Sequence, residues 1–198
     1  MARRPLRVLH VLGRLVRGGA ELRTVELAES FDGQRVRSDF LVLSGLDGPL
    51  DERVRAAGGE VIKCRLDARF AIRFFHLLRE RRYDVVHSHV HYFSGLVLAI
   101  ARLAQTPGRV AHFRTAVVND KRDTFLRRTQ LSTCKRLVDL AATDVLAVGE
   151  GAMQGAWGAD WRTDPRCRVV YNGIAPRRLQ HVRVAMPAAP VVINVASV

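Results

Sequence analysis

Long apolar segments are missing from this sequence. Its longest uninterrupted apolar run extends only from Leu96 to Ala101, whereas a helix that crosses a membrane needs about 20 such residues. The amino-terminal segment MARRPLRVLHVLGR has the superficial look of a signal peptide, but arginine and histidine interrupt its apolar residues, which is more typical of a first strand. Since 48% of the 198 residues are hydrophobic, we expect a cytoplasmic globular protein with a substantial core.

Cysteine is scarce as well. The three cysteines Cys64, Cys134 and Cys167 are odd in number and lack the close spacing of zinc-binding or redox motifs. This pattern argues against a disulfide framework. It favours free or buried thiols in a reducing compartment.

Lysine is almost absent, because 3 lysines stand beside 29 arginines in a chain with a formal net charge of +13. Such an excess of positive charge suits nucleic acid, an anionic membrane surface or a phosphorylated substrate. The arginines are spread along the whole chain, without the glycine and aromatic interleaving or the basic helix of a nucleic-acid binder. We therefore expect no nucleic-acid partner.

The segment RFAIRFFHLLRERR, residues 69–82, has the pattern of a basic amphipathic helix that docks on a membrane. Phe70, Phe74 and the pair Leu77 and Leu78 form one apolar stripe, and arginines supply the charge. The same pattern is typical of an ordinary helix whose apolar stripe covers a sheet. We favour the ordinary helix and keep peripheral contact with the anionic inner face of the membrane as the alternative.

The glycine-rich segment VLGRLVRGGAELR, residues 11–23, lacks the chemistry of two well-known nucleotide-binding motifs. The dinucleotide pattern G-x-G-x-x-G is absent, and the P-loop pattern keeps two glycines but has Gly19 and Ala20 in place of its lysine and hydroxyl. The segment instead connects an apolar strand pattern to a helical pattern. A glycine turn at a helix amino terminus suits an anion such as phosphate, and close packing of the helix on the sheet is the alternative explanation.

Short apolar runs alternate with helical patterns as far as about residue 173. The predicted strands are 7–12, 38–43, 60–64, 84–88, 109–113, 144–148 and 168–171, and the predicted helices are 20–31, 50–57, 70–82, 93–105, 122–141 and 150–157. A helix between successive strands indicates right-handed βαβ units, and hence an α/β, Rossmann-like, doubly wound parallel sheet. Ligands of such sheets bind at the carboxyl ends of the strands, which predicts a site formed by the loops 13–19, 44–49, 88–92 and 114–121.

The regular alternation ends beyond these elements. Residues 176–190 are rich in proline and alanine and predict a linker, and residues 191–198 predict the first strand of a second domain that is essentially absent. A single strand cannot form a core. We therefore expect one Rossmann-like domain over residues 1–175, followed by the linker and this strand.

Five segments carry a family resemblance in the order RVLHVLGRLVRGGAELRTVELAESF, DVVHSHVHYFSGLVLAIARL, TDVLAVGEGAMQGAW, RVVYNGI and VVINVASV. Together they resemble the amino-terminal half of a GT-B glycosyltransferase of family 4. The resemblance implies a retaining enzyme that transfers a sugar from a nucleoside diphosphate sugar to an acceptor glycan or lipid in polysaccharide or glycolipid assembly. It further implies that residues 1–175 bind the acceptor, that the absent domain binds the nucleotide sugar, and that no cofactor or metal is needed.

The resemblance also implies site residues in the first loop and helix. Gly18 and Gly19 match the family's glycine pair, which approaches the donor phosphate or the acceptor. Glu21 matches a position where family members carry a polar residue that contacts the acceptor. A carboxylate just inside a helix amino terminus is equally favourable on electrostatic grounds alone.

Further candidates follow the fourth and fifth predicted strands. His87, His89 and His91 lie in the segment VVHSHVHYF, where the family often has a histidine in the cleft, and we select His89 as the site residue. The three histidines also allow a metal site, but no carboxylate or cysteine lies nearby in the sequence, and we expect none. Arg114 stands where many relatives carry a histidine that contacts the donor sugar or acceptor, with His112 on the same strand face.

The paired glutamates spaced E-x7-E in the family's second domain are not part of this sequence. The catalytic residues are therefore unknown, and we expect the chain alone to be inactive. One alternative is a non-catalytic binding or membrane-docking module. Another is an NAD-type oxidoreductase, which the missing dinucleotide motif disfavours.

Overall fold

The computed structural model describes residues 4–115 and 125–173. Its strands form one seven-stranded sheet in the order β3-β2-β1-β4-β5-β6-β7, and every neighbouring pair is parallel. This confirms the predicted doubly wound α/β sheet. The strands are β1 (Leu6–Leu12), β2 (Val36–Val42), β3 (Val61–Lys63), β4 (Val85–Ser88), β5 (Gly108–Phe113), β6 (Asp144–Ala147) and β7 (Cys167–Val169).

Helices connect the strands and cover both faces of the sheet, as expected for βαβ units. One apolar cluster packs the sheet against α3 to α6, and a second cluster packs it against α1 and α2. The two clusters reflect the reversal of strand order at β1, since right-handed crossovers in opposite directions place helices on opposite faces. The helices are α1 (Gly19–Ser30), α2 (Asp51–Ala56), α3 (Phe70–Arg81), α4 (Ser94–Leu103), α5 (Phe125–Ala141) and α6 (Glu150–Trp157).

Each predicted strand and helix has a counterpart whose ends differ by up to two residues. Residues 122–124 of the predicted helix 122–141, and most of the predicted loop 114–121, lie outside the described residues. Two short 3-10 turns, His91–Phe93 and Ala159–Thr163, were not predicted. The first turn begins with unusual backbone and the second follows it, and a periodicity argument detects neither. His91 has a left-handed φ of 51°, and Gly158 between α6 and the second turn has a φ of 117°.

The amphipathic helix α3 directs its apolar stripe inward. Phe70, Phe74 and Leu78 are buried in the core cluster beneath α3 to α6, and Leu77 packs against that cluster. This confirms that the stripe covers the sheet. Ile72 on the outer face of α3 remains 63% exposed.

Other predictions have mixed outcomes. The three cysteines are free, with Cys64 and Cys167 buried. The predicted linker 176–190 and the strand 191–198 lie outside the described residues, so these domain assignments stay predictions. Within the described ranges, no helix combines the length and the apolar character needed to cross a bilayer.

Candidate functional site

The neighbouring strands β1, β4 and β5 each direct one histidine to the same face of the sheet. His10 on β1 is the register partner of His87 on β4, and His112 on β5 lies two positions beyond Val110, the partner of His87. Side chains two positions apart on a strand share a face, so the three rings meet. His89 follows β4 and joins them. We refer to His10, His87, His89 and His112 as the histidine cluster.

The rings of the histidine cluster are in mutual contact. The ring centroids of His87 and His112 lie 5.2 Å apart with nearly parallel planes, and those of His87 and His89 lie 4.2 Å apart. His10 packs against His87 on one side and against Phe40 on the other. Only 2% of His10 and 5% of His112 are exposed. His87 and His89 are half-buried, so the cluster is an aromatic platform with two buried and two partly exposed rings.

The structure separates His91 from the histidines with which the sequence groups it. Its left-handed backbone turns the chain after β4, and its ring packs edge-on against Tyr92 and Phe113. Phe113 belongs to the core beneath α3 to α6. The grouping of His87, His89 and His91 as one potential metal site is therefore wrong, because His10 and His112 take the place of His91.

Burial keeps the histidine cluster uncharged. Desolvation, with a further contribution from the positive charge of Arg114, lowers the pKa of His10 and of His112 to about 3. Desolvation and the neighbouring imidazoles hold the pKa values of His87 and His89 well below the usual value of 6.5. All four rings are therefore neutral at physiological pH.

Arg114 is the residue directly after β5, as the predicted register required. Its Nη2 donates to Thr24 Oγ1 at 3.0 Å and its Nη1 donates to Asn172 Oδ1 at 3.0 Å. Its Nε donates to His89 Nδ1 at 3.4 Å. Burial lowers the pKa of Arg114 to about 10, against the opposing effect of the Glu21 charge, so the guanidinium stays positively charged.

These hydrogen bonds fix the protons of two imidazoles. Because a guanidinium only donates, His89 Nδ1 must accept, and the neutral ring carries its proton on Nε2. His89 Nε2 lies 3.2 Å from His10 Nδ1, which therefore accepts in turn. The proton of His10 is left on its buried Nε2, which has no partner among the described residues. A directed chain of hydrogen bonds thus runs from Arg114 through His89 to His10.

The hydrogen bonds from Arg114 through His89 to His10 also affect metal binding. Ligand nitrogens of His10, His87 and His89 lie within 4.8 Å of one another, a spacing that three metal ligands could have. A metal on His89 Nε2 would require its proton on Nδ1, where the Arg114 Nε–H already points. The hydrogen-bond arrangement therefore favours neutral imidazoles over a bound cation, and a site without metal remains our prediction.

The glycine pair lies at the amino terminus of α1. Gly18 caps the helix with φ −83° and ψ 163°, and no side chain bonds to the first turn. A Cβ on Gly19 would meet no atom within 4 Å, and a Cβ on Gly18 would meet only movable ends of the Glu21 and Val16 side chains. Within the described residues, close packing therefore does not explain the glycines. Gly19 leaves open space beside the first turn of α1, where the first N–H groups have no partner within the helix, whereas the Glu21 carboxylate lies against Gly18.

Glu21 links the glycine turn to Arg114. Its carboxylate lies beside Gly18 in the first turn of α1, and its charge raises the pKa of Arg114. The structure thus brings together all five site residues that the sequence predicted: Gly18, Gly19, Glu21, His89 and Arg114. Three participants, His10, Thr24 and Asn172, were not predicted, although a histidine inside a buried apolar strand was a visible signal for His10.

A cleft of about 350 Å³ opens beside Arg114, between α1 and the chain after β7. Its lining combines the polar side chains of Arg114, His112 and Asn172 and the charged side chains of Arg23 and Glu26 with exposed apolar surface from Leu27, Val170 and Tyr171. The cleft could therefore hold a ligand with a polar or anionic group.

Known proteins share this architecture. Residues 17–178 match the model of Glycosyltransferase Family 4. The chain is 30% identical over 146 residues to the capsular polysaccharide biosynthesis glycosyltransferase CapH of Staphylococcus aureus. The aligned region covers 72% of this chain and 40% of CapH. It is also 30% identical over 174 residues to the putative glycosyltransferase EpsF of Bacillus subtilis. That aligned region covers 85% of this chain and 45% of EpsF.

The fold also resembles the crystal structure of Anabaena HepE in complex with UDP, with a TM-score of 0.63 and 18% identity over 86% of this chain and 44% of HepE. The chain thus spans less than half the length of these relatives. The family match covers most of the sequence and confirms the resemblance seen in its motifs. The chain therefore belongs to glycosyltransferase family 4, as an amino-terminal domain of the GT-B fold.

Proposed function

We propose that this chain is the acceptor-binding half of a glycosyltransferase that moves a sugar from a nucleoside diphosphate sugar to an acceptor glycan or lipid. Family membership supports the reaction class. The role of CapH in capsular polysaccharide biosynthesis supports an acceptor in polysaccharide assembly.

The observation that carries the proposal is a half-buried positive charge that forms no ion pair within the described residues. Arg114 is held by a hydroxyl, an amide oxygen and an imidazole, and none of the described carboxylates forms an ion pair with it. The nearby amino terminus of α1 adds unpaired N–H groups and a partial positive charge. A phosphate or diphosphate group would satisfy both features.

The chemistry follows from this charge arrangement. Loss of a nucleoside diphosphate builds negative charge on the leaving oxygen, and oriented positive groups lower that barrier. Double displacement by a glycosidase-type carboxylate pair needs two carboxyl groups about 5 Å apart, whereas Glu21 is the carboxylate that faces Arg114 here. The resemblance to family 4 implies retention by attack on the same face of the sugar, and we propose that this half orients the acceptor and stabilises charge.

Binding to the chain tests the anion assignment. We would titrate it with inorganic pyrophosphate and with UDP, the ligand in the HepE structure, and compare Arg114→Gln with Arg35→Gln. Arg35 is exposed at the opposite edge of the sheet, so it controls for the loss of one positive charge. We expect Arg114→Gln to bind at least about tenfold more weakly and Arg35→Gln to bind like the native chain. Equal affinity of Arg114→Gln and Arg35→Gln for these ligands would show that Arg114 does not bind the anion.

Transfer itself is tested in the complete protein. We expect labelled sugar to pass from a nucleotide sugar to acceptor only when both halves are present, and the chain alone to transfer none. A complete protein that binds ligand but never transfers, over a panel of donors and acceptors, would instead support a non-catalytic binding module.

A second candidate is peripheral contact with the anionic inner face of the membrane, which the outer surface of α3 favours. Ile72 is 63% exposed there between the basic side chains of Arg69 and Arg73. We expect the chain to float with anionic vesicles at low salt and Ile72→Asp to lose that binding. Leu140→Asp, at an exposed apolar position on α5, is the control. Flotation that does not depend on lipid charge or on Ile72 would exclude this surface.

A further inference from the structure

We propose that Thr24, His89 and Asn172 are positioning residues that together hold Arg114 as a preorganised receptor for one phosphate or diphosphate group. The inference rests on the proposed function and extends it to three side chains that bear no charge. Each side chain accepts a hydrogen bond from Arg114 and so orients the guanidinium without neutralising its charge.

Thr24 fixes the guanidinium from the side of α1. It is fully buried, and its hydroxyl donates to the carbonyl of Ala20 at 2.7 Å. Because that proton is committed, a lone pair of Thr24 Oγ1 is free to accept from Arg114 Nη2 at 3.0 Å. The direction of the hydroxyl is thus set by the helix itself.

Asn172 fixes the other end of the guanidinium. Its Oδ1 accepts from Arg114 Nη1 at 3.0 Å, and this orientation of the amide is required because Arg114 offers only donors. Asn172 follows β7, whereas Thr24 belongs to α1. The guanidinium is therefore attached to two separate elements.

His89 fixes the Nε side. It accepts from Arg114 on Nδ1, and its own Nε2 proton points to His10. Phe40 packs on the ring of His10, with centroids 5.0 Å apart, and limits its rotation. The hydrogen bond from His89 to the neutral His10 ring thus keeps the Nδ1 lone pair of His89 directed at Arg114.

The three contacts leave a defined capacity for a ligand. A guanidinium carries five N–H donors, so after the contacts to His89, Thr24 and Asn172 one donor on each Nη has no partner among the described residues. Arg53 gives a contrast within the same chain, because its Nε and Nη2 both donate to the carboxylate of Glu29 at 2.7 and 2.6 Å. Arg53 is neutralised by its partner, whereas Arg114 is oriented and still charged.

The direct test has two independent measurements. Nitrogen-15 NMR of the histidine rings reports the protonated nitrogen, and we expect His89 and His10 both to carry the proton on Nε2. Pyrophosphate titration reports affinity, and we expect Thr24→Val and Asn172→Ala each to bind about five- to tenfold more weakly than the native chain. Thr24→Ser keeps the acceptor oxygen and should restore native affinity.

Thr163→Val is the matched control. Thr163 also donates its hydroxyl to a carbonyl within its own turn, but it is exposed and does not contact Arg114. It should leave pyrophosphate affinity unchanged. A Thr24→Val variant whose affinity falls no more than that of Thr163→Val would show that Thr24 does not position Arg114.

The outcomes separate this inference from the proposed function. If Arg114→Gln abolishes pyrophosphate binding while Thr24→Val and Asn172→Ala bind normally, the anion site stands and the positioning role is wrong. If the native chain does not bind pyrophosphate or UDP, the anion assignment fails. A His89 ring protonated on Nδ1 contradicts the positioning chain whatever the affinities.

Discussion

Acidification should destabilise this domain at a pH where most proteins are still at their most stable. The perturbation is protonation of the histidine cluster. His10 and His112 have a pKa of about 3 in the folded chain, against 6.5 for an ordinary histidine. Below pH 6.5 the unfolded chain therefore binds protons that the folded chain cannot bind. The free energy of unfolding is highest above pH 6.5 and falls as the pH goes down from 6.5 towards 3.

The magnitude follows from the two pKa values. Between pH 7.0 and 5.5, one such histidine lowers the free energy of unfolding by about 1.3 kcal/mol, so His10 and His112 together lower it by about 2.5 kcal/mol. His87 and His89 act in the same direction. This is a large fraction of the 5–15 kcal/mol that typical domains possess.

Urea denaturation followed by circular dichroism at a series of pH values measures the effect. His112→Asn removes one neutral imidazole, and its amide can replace Nδ1 in the contact with His87. Between pH 7.0 and 5.5, we expect the free energy of unfolding of this variant to fall by about 1.3 kcal/mol less than that of the native chain. His76→Gln, which removes an exposed histidine outside the cluster and leaves the cluster intact, is the control. A native chain with the same unfolding free energy at both pH values would refute the burial of neutral imidazoles.

Three other predictions concern the glycines and the metal. Gly19→Ala should stabilise the chain by about 0.4–1 kcal/mol, because its Cβ meets open space, while it weakens pyrophosphate binding by filling the anion's approach to α1. Gly33→Ala, also open and at the opposite edge of the sheet, is the control, and unchanged binding by Gly19→Ala would show that no ligand approaches there. Gly95→Ala should instead lower the free energy of unfolding, measured by urea denaturation, by about 1–3 kcal/mol. Its Cβ would meet the Cys134 carbonyl where α4 packs on α5. Native stability of this variant would show that the two helices move apart at little cost. Zinc should not raise the melting temperature of the native chain, since the Arg114 donor to His89 opposes a metal there; a rise that disappears in His10→Gln would overturn that reasoning.

Much of the fold could be predicted because its signals are local. A strand buried on both faces is a short apolar run, as in residues 8–12 and 40–43, and the helix after it repeats at its own period. The parallel order then places every strand's carboxyl end at one edge, so Gly18, His89 and Arg114 could be assigned to one region. The ends of the elements were predicted less closely, because turns such as the left-handed backbone at His91 depend on packing.

The composition of the site was only partly predictable. Arg114 contacts Thr24 across 90 residues of sequence and Asn172 across 58, and no short motif relates such distant positions. His10 was hidden for another reason, since a lone histidine in an apolar strand is as readily a core residue as a site residue. Its role became visible only when β4 brought His87 and His89 beside it.

The sequence by itself determined the alternation of strands and helices, the glycine turn at α1 and the family, because each is written in contiguous residues. The tertiary structure alone decided which histidines meet, why His91 is not among them, and which nitrogen of His89 carries its proton. It also decided that four imidazoles stay neutral beside one arginine that stays charged. The physical reason is that desolvation and hydrogen-bond direction belong to the assembled strands β1, β4 and β5, and no single segment possesses them.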